Sequence, residues 1–508
     1  MMTLSKLRQK YQPVLPKILS QIDSVSFEKS NDLPVQAEIK KLFPKISEQS
    51  VIIAKKGVAQ KFPALKIGAV FSGGQAPGGH NVLTGLFDAL QTLNVKAKLI
   101  GFLDGPCGVL AGKWTELNSS ALLPYRNQGG FDLLGSGRTK IETDDQLRKT
   151  LQIAQDLDLD GLVVIGGDDS NTNAAFIAEY FLQHSCKTKV IGVPKTIDGD
   201  LQNPFVEISF GFDTATKIYA ELIGNISKDA LSAKKYYHFI KLMGRSASHI
   251  TLECALKIHP NHTLISEERH TLAEITLRIA DLVEQREELG KRYGVILIPE
   301  GLIEHMPEMS GLIKELKKSA EHLSPESQAV WEMVPDRVQQ QLLLERDPHG
   351  NINLSAVETE LVLIEAVTKE LKKRKFKGKF APLAHFFGYE GRAGLPTNFD
   401  ANYCYTLGHT AALLIAHGCT GCMAFVHQLA KPPKEWSIGG VPLSSQLILQ
   451  SQKKPVIVKT YVDLKGTPYG RLQKQTAKWA LEDDYQCPGP TQFFGEPAVT
   501  DSIPLILQ

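Results

Sequence analysis

The stretch Lys195-Thr196-Ile197-Asp198-Gly199-Asp200 puts a cation, a hydroxyl and two carboxylates inside one short loop. Phosphoryl transfer to an alcohol needs that set. A lysine offsets charge on the transferring group, a hydroxyl orients the acceptor, and a carboxylate removes the acceptor's proton. Asp198 reads as the general base, Lys195 as the phosphate cation and Thr196 as the acceptor-side hydroxyl. Asp168, directly after Gly166-Gly167, is placed to hold Mg2+ and bridge phosphate oxygens. Gly73-Gly74 brings bare backbone close to a phosphate. The spacing from Gly74 to Gly79 is that of a P-loop, but His80 and Asn81 stand where such a loop has Lys and Ser or Thr, which argues against a Walker-type NTPase. Gly244-Arg245 combines a backbone N–H with a guanidinium suited to a sugar phosphate. Glu300, after Pro299, can accept hydrogen bonds from sugar hydroxyls, and Arg392 in Phe386-Phe387-Gly388-Tyr389-Glu390-Gly391-Arg392 is a second phosphate candidate.

The elements that must hold these residues recur along the chain as a short apolar run, a polar or Gly-rich loop and an amphipathic stretch. The apolar runs are Ile67 to Phe71, Leu162 to Ile165, Val190 to Val193, Phe239 to Leu242 and Val295 to Ile298. Each feeds one of the motifs above. Such alternation predicts parallel α/β sheets, and the carboxyl ends of their strands form the crevice where ligands meet helix N-termini. The expected fold class is α/β, with two similar Rossmann-like lobes of mainly parallel strands, an N-terminal helical extension over 1–65 and a helical insertion over 302–380.

With 508 residues and 43% hydrophobic content, the chain is long enough for more than one lobe. Lys and Arg total 57 against 55 Asp and Glu, so no global field draws it to nucleic acid or an anionic membrane. The basic run Lys372 to Lys379 reads as a solvated helix end. Seven scattered cysteines do not form a disulfide framework, and the lone Cys419-Thr420-Gly421-Cys422 reads as buried thiols; a reducing cytoplasm is expected. No signal peptide or membrane-spanning stretch is expected from the sequence.

In order and spacing, Ser72-Gly73-Gly74-x-Ala76-Pro77-Gly78, Gly135-Ser136-Gly137-Arg138, Gly166 to Ser170, Pro194 to Asp200, Met243-Gly244-Arg245 and Pro299-Glu300-Gly301 resemble the phosphofructokinases. The similarity covers about 66 to 300 and resumes near 381. The insertion and Tyr389-Glu390-Gly391-Arg392 look like the long pyrophosphate-dependent clade, which includes plant enzymes. The resemblance implies that Gly73 contacts the phosphoryl donor, Asp168 binds Mg2+ and Asp198 accepts the proton. It places fructose 6-phosphate on Thr196, Ile197 and Asp198, on Met243, Gly244 and Arg245, on Glu300, and on Tyr389, Glu390, Gly391 and Arg392. Lys235-Tyr236 matches a segment that reaches the sugar phosphate from a neighbouring subunit, which implies a homodimer with a shared active site. Arg138 matches a donor-side residue of the ATP enzymes.

ATP-dependent relatives carry Gly at the positions of Asp169 and Lys195. A carboxylate at Asp169 would repel the α-phosphate of a nucleotide, and Lys195 adds the charge that a short, highly anionic pyrophosphate requires. Both differences favour pyrophosphate. The lobes are expected as 66–211 with 381–475 for pyrophosphate and Mg2+, and 212–301 for the sugar phosphate, with 476–508 as a C-terminal segment. An ATP-dependent phosphofructokinase and a silent regulatory subunit are the alternatives. The register at Gly73 does not supply the dinucleotide fingerprint of an oxidoreductase.

Overall fold

The computed structural model describes residues 3–30, 33–245, 247–318, 323–345, 356–450 and 454–489. Its strands run in chain order as β1 (Val25–Lys29), β2 (Ile52–Lys56), β3 (Lys66–Phe71), β4 (Lys98–Phe102), β5 (Trp114–Glu116), β6 (Gly161–Gly166), β7 (Lys189–Pro194) and β8 (Tyr236–Leu242). There follow β9 (His262–Thr263), β10 (Tyr293–Pro299), β11 (Pro382–Phe387), β12 (Cys422–His427), β13 (Ser437–Pro442), β14 (Leu447–Leu449) and β15 (Pro455–Ile457).

The first lobe is built on a nine-stranded sheet in the order β1-β2-β13-β12-β7-β6-β3-β4-β5. Its centre, β4, β3, β6, β7 and β12, is parallel. The residues of β6 are buried throughout, as expected for a strand covered by helices on both faces. From β3 the chain passes to β4 on one side and then to β6 on the other, so a topological switch point opens between the carboxyl ends of β3 and β6. Helix Gly79–Leu93 follows β3 and packs against helix Asn398–Ala416. Gly85 and Gly408 permit that approach: a Cβ at either would lie 2.2 or 2.3 Å from a carbonyl oxygen of the facing helix.

The second lobe has a four-stranded, all-parallel sheet in the order β11-β8-β10-β9. Helix Phe212–Ala233 covers one face. The insertion covers the other with helices Pro307–Lys318, Pro325–Met333, Asp336–Leu344 and Thr359–Lys373, whose core is continuous with Tyr237 and Phe239 of β8 and Ile296 and Ile298 of β10. Lys241, 1% exposed, pins this layer: its Nζ donates to the Val357 carbonyl at 2.7 Å and lies 3.5 Å from Glu360 Oε2. At the end of helix Thr359–Lys373, Arg374 pairs with Asp281, Glu284 and Glu370 at 2.6 to 2.9 Å.

Two boundaries differ from expectation. The 1–65 segment is not purely helical, because β1 and β2 extend the first sheet through β13. These short, half-exposed strands are held by edge pairing rather than by a buried face, so they lack a strong apolar pattern. The 381–475 segment does not lie wholly in the first lobe, because β11 pairs with β8 in the second. The chain therefore crosses between lobes three times: after β7 into helix Phe212–Ala233, after β11 into helix Asn398–Ala416, and after β15 into helix Thr467–Leu481, which packs on helices His249–Ile258 and Leu272–Glu288. That last helix spans the expected boundary at 475/476, and 490–508 lie outside the described residues. Asp400 secures the second crossing. Its buried carboxylate accepts from the Gly211 N–H at 3.0 Å and the Thr214 N–H at 2.8 Å, tying the starts of two helices together.

Candidate active site

The loop after β3 forms the floor of the cleft. Gly73 has φ +87, a left-handed conformation suited to glycine, and a Cβ there would stand 3.3 Å from Lys195 Nζ. The Gly73 N–H donates to the Gly137 carbonyl at 2.9 Å, and Ser136 Oγ donates to the Gly73 carbonyl at 2.6 Å, so the Gly135 to Arg138 segment buttresses the loop. Helix Asp168–Gln183 starts where β6 ends. Gly167 caps it without a side chain, so the positive end of the helix dipole faces the cleft, and the Asp169 N–H donates to the Asp168 carboxylate there. Gly73, Gly74, Arg138, Asp168, Lys195 and Arg245 line one cleft at this point.

The loop after β7 supplies the candidate base and its cation. The Lys195 N–H donates to the Gly166 carbonyl at 2.9 Å, fixing the loop beside the helix start. The Lys195 side chain is 5% exposed. Burial lowers its pKa from 10.5 to about 8 despite the attraction of Asp198, with Arg245 also pushing it down. Asp198 is 7% exposed, and its N–H donates to Thr196 Oγ1 at 3.1 Å. Burial and the neighbouring Asp198 raise the Asp200 carboxyl above the usual carboxylate range. Ile197 packs its side chain into the core, so only its backbone can meet a substrate.

The second lobe faces this loop. Glu300 is fully buried, and its Oε2 accepts from the Gly244 N–H at 2.8 Å, so it braces the turn that presents Arg245. Loss of water around the Arg245 guanidinium acts to lower its pKa, but Asp198, Asp168, Glu300 and Asp200 outweigh that and hold it above its ordinary value. Met243 is buried, and its N–H donates to the Phe387 carbonyl at 3.0 Å, joining the ends of β8 and β11. Beyond β11, Tyr219 Oη donates to the Gly388 carbonyl at 2.5 Å and Glu390 Oε2 accepts the Gly388 N–H at 2.8 Å. This turn carries Arg392 over the ring of Tyr389, at 4.9 Å, and towards the first lobe, where a Cβ at Gly74 would lie 3.6 Å from Arg392 Cζ. Arg392 thus stands at the donor loop as well as at the second lobe.

Asp169 lies at the cleft's mouth, 63% exposed at its side chain, 3.3 Å from Lys140. Lys235 and Tyr236 do not join the cluster. Both are exposed at the start of β8, about 20 Å along the strand from Met243.

Lys459 was not singled out from the sequence. Its Nζ lies 3.4 Å from Asp168 Oδ2 and 3.7 Å from Asp200 Oδ2. Burial acts to raise the Asp168 carboxyl, but Lys459 and Arg245 hold it below the usual range. The signal available was the run Pro455 to Val458 ahead of Lys459, again a short strand delivering a charged residue. Asp168 offers a hard oxygen donor of the kind Mg2+ prefers, and Lys459 already places a positive charge beside it. Among the described residues no three His, Cys, Asp or Glu side chains converge as a metal site. An ion at Asp168 would be held by that carboxylate together with substrate phosphates.

The Phosphofructokinase family model matches residues 66–415. The chain belongs to the phosphofructokinase family. The chain is 50% identical over 496 residues to the pyrophosphate–fructose 6-phosphate 1-phosphotransferase subunit beta 1 of Arabidopsis thaliana, a match covering 93% of this chain and 88% of the relative. It is 46% identical over 534 residues to the pyrophosphate–fructose 6-phosphate 1-phosphotransferase of Porphyromonas gingivalis, covering 99% and 97% of the two. The fold is similar to that of a pyrophosphate-dependent phosphofructokinase from Nitrosospira multiformis, with a TM-score of 0.58 at 16% identity over 83% of this chain and 93% of that one.

Proposed function

We infer that this protein transfers a phosphoryl group reversibly from pyrophosphate to the 1-hydroxyl of fructose 6-phosphate, using Mg2+ and yielding fructose 1,6-bisphosphate and phosphate. The observation that carries the reading is the buried Lys195 ammonium against Gly73, in the same loop as Asp198. The names of the two full-length relatives support it. Asp198 takes the proton of the attacking hydroxyl as the oxygen bonds to phosphorus. Lys195, buried beside Gly73, meets the charge that spreads over the transferring phosphoryl oxygens, where low dielectric makes a cation more effective, and the more exposed Arg245 lines the same cleft for a sugar phosphate. Asp168 would hold Mg2+, which draws charge from the phosphate oxygens when bound. A nucleotide leaving the cleft past Asp169 would bring its α-phosphate against a carboxylate, whereas pyrophosphate ends before it.

The proposal extends to a homodimer in the cytoplasm. Lys235 and Tyr236 lie far from their own chain's cleft, and Tyr236 is held at φ 72, a strained conformation for a bulky residue. That is compatible with service to the site of a second copy. All seven cysteines are free, which fits a reducing compartment.

The test is formation of fructose 1,6-bisphosphate from fructose 6-phosphate and Mg2+ with pyrophosphate or ATP supplied separately. Turnover with pyrophosphate alone supports the reading. Turnover with ATP alone would overturn the donor assignment, and no turnover with either would favour a regulatory subunit.

A further inference from the structure

The segment after β15 is a strap across the cleft. On the first lobe, the Ile457 N–H donates to Thr172 Oγ1 at 3.2 Å. In the middle, the Thr460 N–H and hydroxyl both donate to the Asp200 carbonyl, at 2.8 and 3.1 Å. On the second lobe, the Val462 N–H donates at 2.9 Å to Glu267 Oε1, which also accepts from the Ser248 N–H at 3.0 Å. These anchors do not involve the Lys459 side chain. The ammonium can therefore change partners by side-chain rotation while the strap stays in place.

Its partners bear directly on the metal site. Asp168 Oδ2 is the oxygen nearest Lys459, and Asp168 is the carboxylate positioned for the metal. A divalent ion on that carboxylate would sit within a few ångströms of the ammonium, and like charges so close repel even though both side chains keep about a quarter of their surface exposed. A phosphate arriving with the metal removes the conflict, because its oxygens accept the ammonium's hydrogen bonds. Asp168 and Asp169 line both the donor cleft and a second cavity that Lys459 and Tyr461 also line, so the Lys459 head has open space beside the carboxylates that border the donor cleft.

We propose that Lys459 is a second donor-side cation, one whose ammonium competes with the metal for the Asp168 carboxylate and turns to the phosphates of pyrophosphate when metal and pyrophosphate bind together. The proposal rests on pyrophosphate being the donor. The ammonium then opposes the metal alone but favours metal and pyrophosphate together, so binding of the two is coupled through one side chain.

Loss of the charge has effects of opposite sign. In Lys459→Met, Mn2+ binding without pyrophosphate, followed by calorimetry or by the paramagnetic signal of free Mn2+, is expected to tighten about threefold or more. The KM for pyrophosphate is expected to rise about tenfold or more, with the KM for fructose 6-phosphate little changed. Lys459→Arg, which keeps the charge, should restore both quantities to within about threefold of the parent. A purely structural lysine would weaken metal and both substrates alike. An unchanged or weakened Mn2+ affinity in Lys459→Met, or a pyrophosphate KM within about twofold of the parent, overturns the proposal. If Lys459→Met fails to fold, Lys459→Gln is judged by the same two quantities. If the parent enzyme shows no pyrophosphate-dependent turnover, the functional reading falls, and with it the transfer of Lys459 to pyrophosphate. The Mn2+ titration then still decides whether Lys459 competes for Asp168.

Discussion

Replacing Lys195 with Met is expected to abolish transfer while stabilising the fold. Burial brings the Lys195 pKa down from 10.5 to about 8, a displacement that the attraction of Asp198 reduces but does not cancel. The unfolded chain keeps the ordinary value, so between about pH 8 and 10.5 the unfolded state binds more protons than the folded one, and wild-type stability rises with pH across that window. Below pH 8 the whole cost of keeping the charge buried is present. At about 1.4 kcal/mol per pKa unit, it amounts to about 3 kcal/mol. Met has a similar length and no charge to bury. For a chain of this size the corresponding rise in unfolding temperature at pH 7 is about 3 °C, and it should shrink above pH 8 and nearly vanish by about pH 10.5. Thermal and urea unfolding followed by circular dichroism at several pH values, alongside pyrophosphate turnover, reads both effects. A variant less stable than the parent at pH 7, or a gain independent of pH, would show that pairing with Asp198 outweighs desolvation and refute the reasoning.

Asp198→Asn should lower kcat by about a hundredfold to ten-thousandfold through loss of the base, with fructose 6-phosphate binding by calorimetry nearly unchanged; near-normal turnover would remove Asp198 from that role. Gly73→Ala places a Cβ 3.3 Å from Lys195 Nζ in a left-handed backbone. It should cost about 1–2 kcal/mol of stability and raise the KM for pyrophosphate more than that for the sugar; an equal change in both would count against a donor-side role. Lys241→Met breaks the buried contact with Glu360 and should destabilise by about 3 kcal/mol with little effect on the KM for pyrophosphate, as measured by denaturation and steady-state kinetics. Retained stability would show that the insertion is held by its apolar core alone.

The central strands were legible because each is a short apolar run buried on both faces, as β3, β6, β7, β8 and β10 are. The loops they deliver bring Gly73, Asp168, Lys195 and Asp198 together because strand order in the first sheet places the carboxyl ends of β3, β6 and β7 side by side, and the facing second lobe adds Arg245 after β8. Edge strands carry a weaker signal, and β1 and β2 read as helix for that reason. The sheet to which β11 belongs is fixed by pairing with β8 across the whole insertion, which no local pattern records. Lys459 lies far downstream of the carboxylates it meets, behind a short apolar run that carries no phosphate-binding motif. Only the path of the strap brings them together.

The three crossings between the lobes bear on how the molecule can come apart. Neither lobe corresponds to one continuous piece of chain, so no single cut in the backbone separates them. A fragment ending before helix Asn398–Ala416 would lack β12 and β13 from the middle of the first sheet and would expose the face of helix Gly79–Leu93 that Gly85 shapes. Limited proteolysis should accordingly yield nicked molecules that remain associated until denatured, rather than autonomous halves. The last crossing also carries the strap, so trimming the chain from its C-terminal side removes closure of the cleft before it removes the bulk of either sheet.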